Sequence, residues 1–293
     1  MSNDEILVGT DGSAASQAAV RWAAREAQRR QLGLRIVHAF DWQWYGARFG
    51  PAEAYLDEAR KVAQAVADEA AEQARAEAPG ISTRTDAFLG APAVRLLELA
   101  RYAELTVVGN RGHGGFAGLL LGSVSQQLAT HAPGPVVVVR GRDDAGQGPV
   151  VAGVDDSPAA DHVLATAFEA AGRRGAELVV IRTFLPVIPL WIEGLPAMDL
   201  RTPEGDAAEH ERLEILLKPW RQKYPDITVE ALVSHDSAAA VLTGVSHTAQ
   251  LVVVGSRGHG AVAGVLLGST GMQLSHHADC PVLIARPGRS DQH

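Results

Sequence analysis

The chain has 293 residues, 46% of them hydrophobic and 20% charged, with a formal net charge of −8 and only three lysines among its 26 basic residues. This length suggests two domains of about 145 residues, each able to bury a core. The acidic balance and scarce lysine exclude a broad basic field for nucleic acid or an anionic membrane, so any bound anion must be held locally. The acidic start, Met1 to Glu5, lacks the basic and apolar regions of a signal peptide, and no run approaches about eighteen apolar residues. The single cysteine, Cys280, precedes Pro281 and an apolar run, which reads as a buried thiol; with no intrachain disulfide to form, a cytoplasmic protein is expected.

In chain order, Glu5 to Gly9 predicts a strand, Thr10-Asp11-Gly12-Ser13 a tight turn with Ser13 as N-cap, and Ala14 to about Arg30 an amphipathic helix. Leu34 to Phe40 predicts a second strand, followed by an aromatic loop with Trp42, Trp44, Tyr45 and Phe49 and a long helix ending near Ala78. A strand from Ile81 to Phe88, a helix from Ala93 to Tyr102, strand Leu105 to Gly109, helix Ser123 to His131 and strand Pro135 to Arg140 complete the half. Strands alternating with helices imply a parallel sheet covered on both faces. Residues 142–148 read as a polar, glycine-rich linker between domains 1–141 and 149–293.

The series then restarts. Strand Val150 to Val154 leads to Asp155-Asp156-Ser157-Pro158, where the proline suits a first helical turn. The later elements follow in the same order, with a loop at 185–205 containing Trp191 in place of the aromatic loop. Asp11 and Asp155 lie 144 residues apart, and Gly109 and Gly255 lie 146 apart, so one α/β unit has been duplicated almost without insertions.

The most informative repetition is a loop. Gly109, Gly112 and Gly122-Ser123 recur as Gly255, Gly258 and Gly268-Ser269 with identical spacing, each time between an apolar strand and a helix start. Glycines let backbone N–H groups turn toward an anion, and the helix N-terminus adds unpaired donors and partial positive charge. Gly114 and Gly260 extend the cradle; Arg111 and Arg257 can neutralise phosphate; His113 and His259 coincide as backbone or hydrogen-bonding residues. Asp11 and Asp155 end the first strand of each half, where a carboxylate can accept from a ribose or base, or cap the following turn. Adjacent His276 and His277 cannot face one metal together from a helix. The chain has no glycine-lysine-serine/threonine P-loop, G-x-S-x-G elbow or metal-spaced histidine/cysteine cluster. The glycines from Gly258 to Gly264 follow the fourth strand of their half rather than the first, so a dinucleotide oxidoreductase is disfavoured.

With these loops, aspartates and the duplication together, the chain resembles the universal stress protein family in its tandem form, and its glycine signature resembles that of the ATP-binding branch. The resemblance implies, for each half, an open five-stranded parallel sheet of order 3-2-1-4-5, an adenine-nucleotide alpha-hydrolase-like α/β fold, with ATP at the crevice where the strand order reverses. It places Gly9, Thr10, Asp11 and Ala39, and in the second half Gly153, Val154, Asp155 and Thr183, near adenosine. The Gly109 loop with Gly122, Ser123, Val124 and Ser125, and the Gly255 loop with Gly268, Ser269 and Thr270, take the phosphates. Two ATP per chain are implied, with Mg²⁺ through the phosphates and no protein metal ligand.

The resemblance also implies a homodimer through the fifth-strand edges, Val136 to Val139 and Val282 to Ala285, or pairing of the two halves along those edges. A regulatory protein partner, but no nucleic acid or membrane partner, is expected. Ser125 becomes Gly271, Gly90 becomes Asp236 and Gly12 becomes Asp156 in the second half. The lost hydroxyl and added carboxylates predict a second site that is weaker or more dependent on Mg²⁺. The leading expectation is a regulatory nucleotide-binding protein; a slow ATPase or nucleotide-dependent transferase is the alternative, disfavoured because no loop lysine or evident base is present.

Overall fold

The computed structural model describes residues 5–40, 53–112, 121–142, 146–184, 203–256, 258 and 267–286. In the first half the elements are β1 (Glu5–Gly9), α1 (Ala14–Arg30), β2 (Gly33–Phe40), α2 (Glu53–Glu77), β3 (Thr83–Leu89), α3 (Pro92–Ala100), β4 (Leu105–Gly109), α4 (Ser123–His131) and β5 (Val136–Val139). The second half repeats them as β6 (Val150–Val154), α5 (Ala160–Arg174), β7 (Leu178–Thr183), α6 (Pro203–Lys223), β8 (Val229–Ser234), α7 (Ala238–Val245), β9 (Leu251–Gly255), α8 (Ser269–His277) and β10 (Val282–Ala285).

Strand order is β3-β2-β1-β4-β5 in the first half and β8-β7-β6-β9-β10 in the second, as expected. The central strands β1, β4 and β5 are buried almost throughout because helices cover both faces. The two sheets are not separate, however. β5 and β10 pair antiparallel, Val138 opposite Val282, and join the halves into one ten-stranded sheet. Since β5 also pairs with β4, and β10 with β9, both fifth-strand edges are closed inside the chain. A second chain therefore cannot use them, which corrects the expected dimer interface; the sheet's outer edges are β3 and β8.

Two local differences between the halves follow from sequence. Gly12 sits at φ +82°, which makes a tight turn available, and Ser13 caps α1 by accepting from Ser16 N–H at 3.3 Å. Asp156 replaces that glycine, and α5 starts only at Ala160 with no side-chain cap; Pro158 precedes the helix rather than opening it. Cys280 is fully buried, and burial pushes its thiol up to about 12, so it behaves as a packing residue. Among the described residues no helix is long and apolar enough to cross a membrane.

Candidate functional site

β1 lies beside β2 on one side and β4 on the other, so the chain reverses direction around it and leaves a crevice at the carboxyl ends of β1 and β4. The β1–α1 turn and the loop after β4 meet there. A Cβ placed on Gly112 would lie 2.2 Å from Asp11 Oδ2, and one on Gly258 would lie 2.5 Å from Asp155 Oδ2. Only glycine lets the loop pass that close to the carboxylate, and both halves do so.

Each aspartate has two tasks. Asp11 Oδ1 accepts from Ser13 N–H at 3.0 Å and from the Ser13 hydroxyl at 2.6 Å, and Asp155 Oδ1 accepts from Ser157 N–H at 3.0 Å. The turn-capping role weighed from sequence is thus real, and the other oxygen faces the β4 or β9 loop. Thr10 is buried, its N–H donating to Val37 O at 2.9 Å, and its carbonyl accepts from His38 Nδ1 at 2.8 Å.

Beyond the crevice the loop closes through Gly122 N–H to Asn110 O and Gly268 N–H to Ser256 O, both at 2.8 Å. Gly122 and Gly268 are the N-caps of α4 and α8, and neither supplies a side-chain cap. The first-turn N–H groups of both helices have no acceptor within their own helix, next to exposed Ser123 and Ser269. Val124 packs against the α3–α4 core, and Thr270, its counterpart in the second half, is half-buried.

Several expected ligand residues have structural duties instead. Ser125 is buried and donates its hydroxyl proton to Gly109 O at 2.6 Å, which ties α4 to β4 rather than turning outward. Its replacement by Gly271 therefore removes a helix-to-strand bond, not an outward hydroxyl. A Cβ on Gly9 would meet Leu96 Cδ1 at 2.8 Å and one on Gly153 would meet Leu242 Cδ1 at 2.6 Å, so packing of α3 and α7 dictates these glycines. Gly109 is held small by Ala15 O, 2.5 Å from its notional Cβ, where α1 begins. Ala39 is buried and Thr183 half-buried at the ends of β2 and β7. His113, Gly114, Arg257, His259, Gly260 and the aromatic segments lie outside the described residues, while Arg111 is exposed at the loop.

Sequence reading missed Arg182, the β7 residue in the place His38 holds on β2. Arg182 Nη2 donates to Asp156 Oδ2 and its Nε to Glu209 Oε2 of α6, each at 2.6 Å. Those bonds, with Asp156 foremost, hold its pKa above the usual guanidinium range. One of the two carboxylates expected to repel an anion in the second half, Asp156, is therefore paired with a cation 26 positions later, which Glu209 shares. Arg182→Met is expected to restore the repulsion and weaken anion binding at the second crevice by on the order of tenfold. Calorimetry on this variant would show that loss in one of two sites, and two unchanged sites would refute the neutralisation.

The architecture is a duplicated doubly wound α/β unit with a switch point in each half. A family model described as the Universal stress protein family matches residues 2–140 and again 148–286, and the chain belongs to that family. A universal stress protein of Mycolicibacterium smegmatis is 36% identical over 303 residues, covering 96% of this chain and 97% of its own. One from Mycobacterium tuberculosis strain H37Rv is 36% identical over 298 residues, covering 96% of each. The solved universal stress protein from Archaeoglobus fulgidus DSM 4304 shares the fold at a TM-score of 0.73, with 21% identity over 98% of this chain and 99% of its own.

Proposed function

We propose that the protein binds ATP, one molecule in each half with Mg²⁺ held through the phosphates, and uses it as a regulatory ligand in a stress or growth response. The observation that carries this reading is the doubled approach of a strand-ending carboxylate to the glycine loop, Asp11 with Gly112 and Asp155 with Gly258, beside open helix N-termini. A carboxylate there suits ribose hydroxyls, and the helix starts suit phosphates. With Asp156 paired to Arg182, both sites are expected to fill. Domain units of 1–141 and 149–293, joined at 142–148, are part of this reading, as is a cytoplasmic setting. A homodimer, if formed, uses surfaces other than β5 and β10, and a regulatory protein partner senses the loaded state.

Regulation is favoured over hydrolysis because the loop 109–122 carries no lysine and Asp11 already engages its own turn. The test is to denature the purified protein in acid, identify released nucleotide by chromatography and mass spectrometry, and count moles per chain. About two adenine nucleotides per chain support the reading; none released, with no ATP binding on titration, sinks it. Steady-state ADP release well above an Asp11→Ala/Asp155→Ala chain would replace regulation by a slow ATPase.

A further inference from the structure

A group of buried side-chain nitrogens without partners among the described residues lies next to the first crevice, at the seam between the halves. Arg140 follows β5 directly. Val136 and Val138 point into the core cluster under α3 and α4 while Val137 and Val139 point into the opposite one, so the alternation turns Arg140 toward the α4 side. That is the end of the sheet at which α4 begins. Asn110 N–H donates to Val139 O at 3.0 Å, so the loop bearing Arg111 leaves β4 alongside Arg140.

The other half reaches the same place. With Val138 opposite Val282 in antiparallel register, Arg140 falls opposite Cys280, and Arg142 N–H donates to Asp279 O at 2.9 Å. The end of α8, with His276, immediately precedes that segment. Nε and Nη1 of Arg140 and Nε2 of His276 are all buried with no hydrogen-bond partner among the described residues. Buried polar groups are rarely left so, least of all charged ones. The nearby carboxylate, Asp279, already has Oδ2 2.9 Å from His247 Nδ1.

The duplication supplies a comparison within the molecule. Arg286 follows β10 as Arg140 follows β5, and its guanidinium donates to the last carbonyls of α4, those of Leu128, Ala129 and Thr130. The corresponding end of α8 leaves two of the Arg140 donors unmet. Burial lowers the Arg140 pKa, Asp279 opposes that, and the facing Arg111 lowers it further; the His276 ring is lowered by burial, then by His277 and Arg140. Two cations, Arg140 and Arg111, thus lie close together beside a His276 ring held toward its neutral form, and the carboxylate near them, Asp279, is shared with His247.

We propose that Arg140, with Arg111 beside it and His276 supplied by the second half, forms a phosphate subsite that takes the terminal phosphates of a nucleotide in the first crevice. The first site is then completed across the seam, and it distinguishes a triphosphate from a monophosphate. The second site lacks this device because Arg286 is engaged at α4. The inference rests on the nucleotide reading above, but the subsite's chemistry is that of any polyphosphate.

The test is calorimetric titration of the full chain carrying Gly258→Val, which fills the second crevice and leaves the first to be read. The probes are ATP, AMP and inorganic triphosphate. Arg140→Gln is expected to weaken ATP by about tenfold while AMP is unchanged, since one charge-assisted contact is lost. Arg140→Lys should recover part of the loss, keeping the charge without the fork and guarding against a misfolded variant. Arg286→Gln should lower the melting midpoint and leave the ATP-to-AMP ratio alone. Equal ATP binding by wild-type and a folded Arg140→Gln chain, or a first site that binds AMP as tightly as ATP, overturns the subsite while nucleotide binding stands. Triphosphate binding that depends on Arg140, with no nucleotide bound, upholds the subsite and removes the nucleotide reading. Binding of no probe removes both.

Discussion

Glu26→Gln is expected to destabilise the protein by about 3–5 kcal/mol, the usual effect of removing one member of a buried ion pair. Glu26 on α1 is 1% exposed, and Arg174, the last residue of α5, is 3% exposed. Oε2 accepts from Arg174 Nη2 and Oε1 from Arg30 Nε, each at 2.6 Å, while Arg174 also lies over the Trp22 ring at 5.9 Å. The duplication explains the arrangement. An offset of 144 puts Arg174 in the place of Arg30 and Ala170 in the place of Glu26, so a single carboxylate serves two equivalent arginines where the halves meet. Glutamine keeps the shape but leaves the buried Arg174 without its carboxylate and Arg30 with the more distant Glu104 alone. Urea midpoints would read the loss, and a change below about 1 kcal/mol would show the pair to be no stronger than a surface bridge. Glu26→Leu with Arg174→Met should regain much of the stability, because packing replaces the pair and Arg30 retains Glu104 within 3.9 Å. Acid should act on the same group. Burial alone would raise the Glu26 carboxyl, but Arg174, Arg30 and Arg29 outweigh burial and hold it below its ordinary value. A depressed folded pKa gives stability that is present above the unfolded value near about 4.3 and is lost as pH falls through the folded one. The Gln variant should therefore show a flatter acid limb than the wild type.

A parallel sheet covered on both faces was legible because strands and helices alternate without interruption, its order came only with the family resemblance, and the N-cap at Ser13 was legible because a hydroxyl, a turn glycine and an alanine-rich run stand together. What sequence could not choose was the partner of β5. A run of four valines asks for an edge to pair with, and it asks in the same way of its own second half or of another chain. Side-chain direction was equally hidden: nothing in the order of residues tells whether the Ser125 hydroxyl faces a ligand or Gly109 O. The pairing of Asp156 was hidden for a different reason. Asp156 stands beside Asp155 in sequence, but the cation that neutralises it comes from the neighbouring strand, a contact that exists only once β6 and β7 are paired.

Gly112→Ala is expected to weaken nucleotide binding at the first site by at least about tenfold, the scale of one hydrogen bond to a charged group. The reasoning is steric. The added methyl carbon would stand 2.2 Å from Asp11 Oδ2, so either the carboxylate rotates away from the crevice, breaking its bonds to Ser13, or the loop withdraws and takes Arg111 with it. Gly258→Ala should do the same in the second half, where the clash with Asp155 Oδ2 is at 2.5 Å. A double-mutant cycle separates the two routes. If the methyl acts by displacing the carboxylate, Asp11→Ala and Gly112→Ala together should cost little more than Asp11→Ala alone, because the oxygen that clashed is gone. If the loop itself is what the ligand needs, the two losses should add. Full affinity in Gly112→Ala, measured with a melting midpoint equal to that of the wild type, would mean that the close approach of loop and carboxylate has no part in holding the ligand.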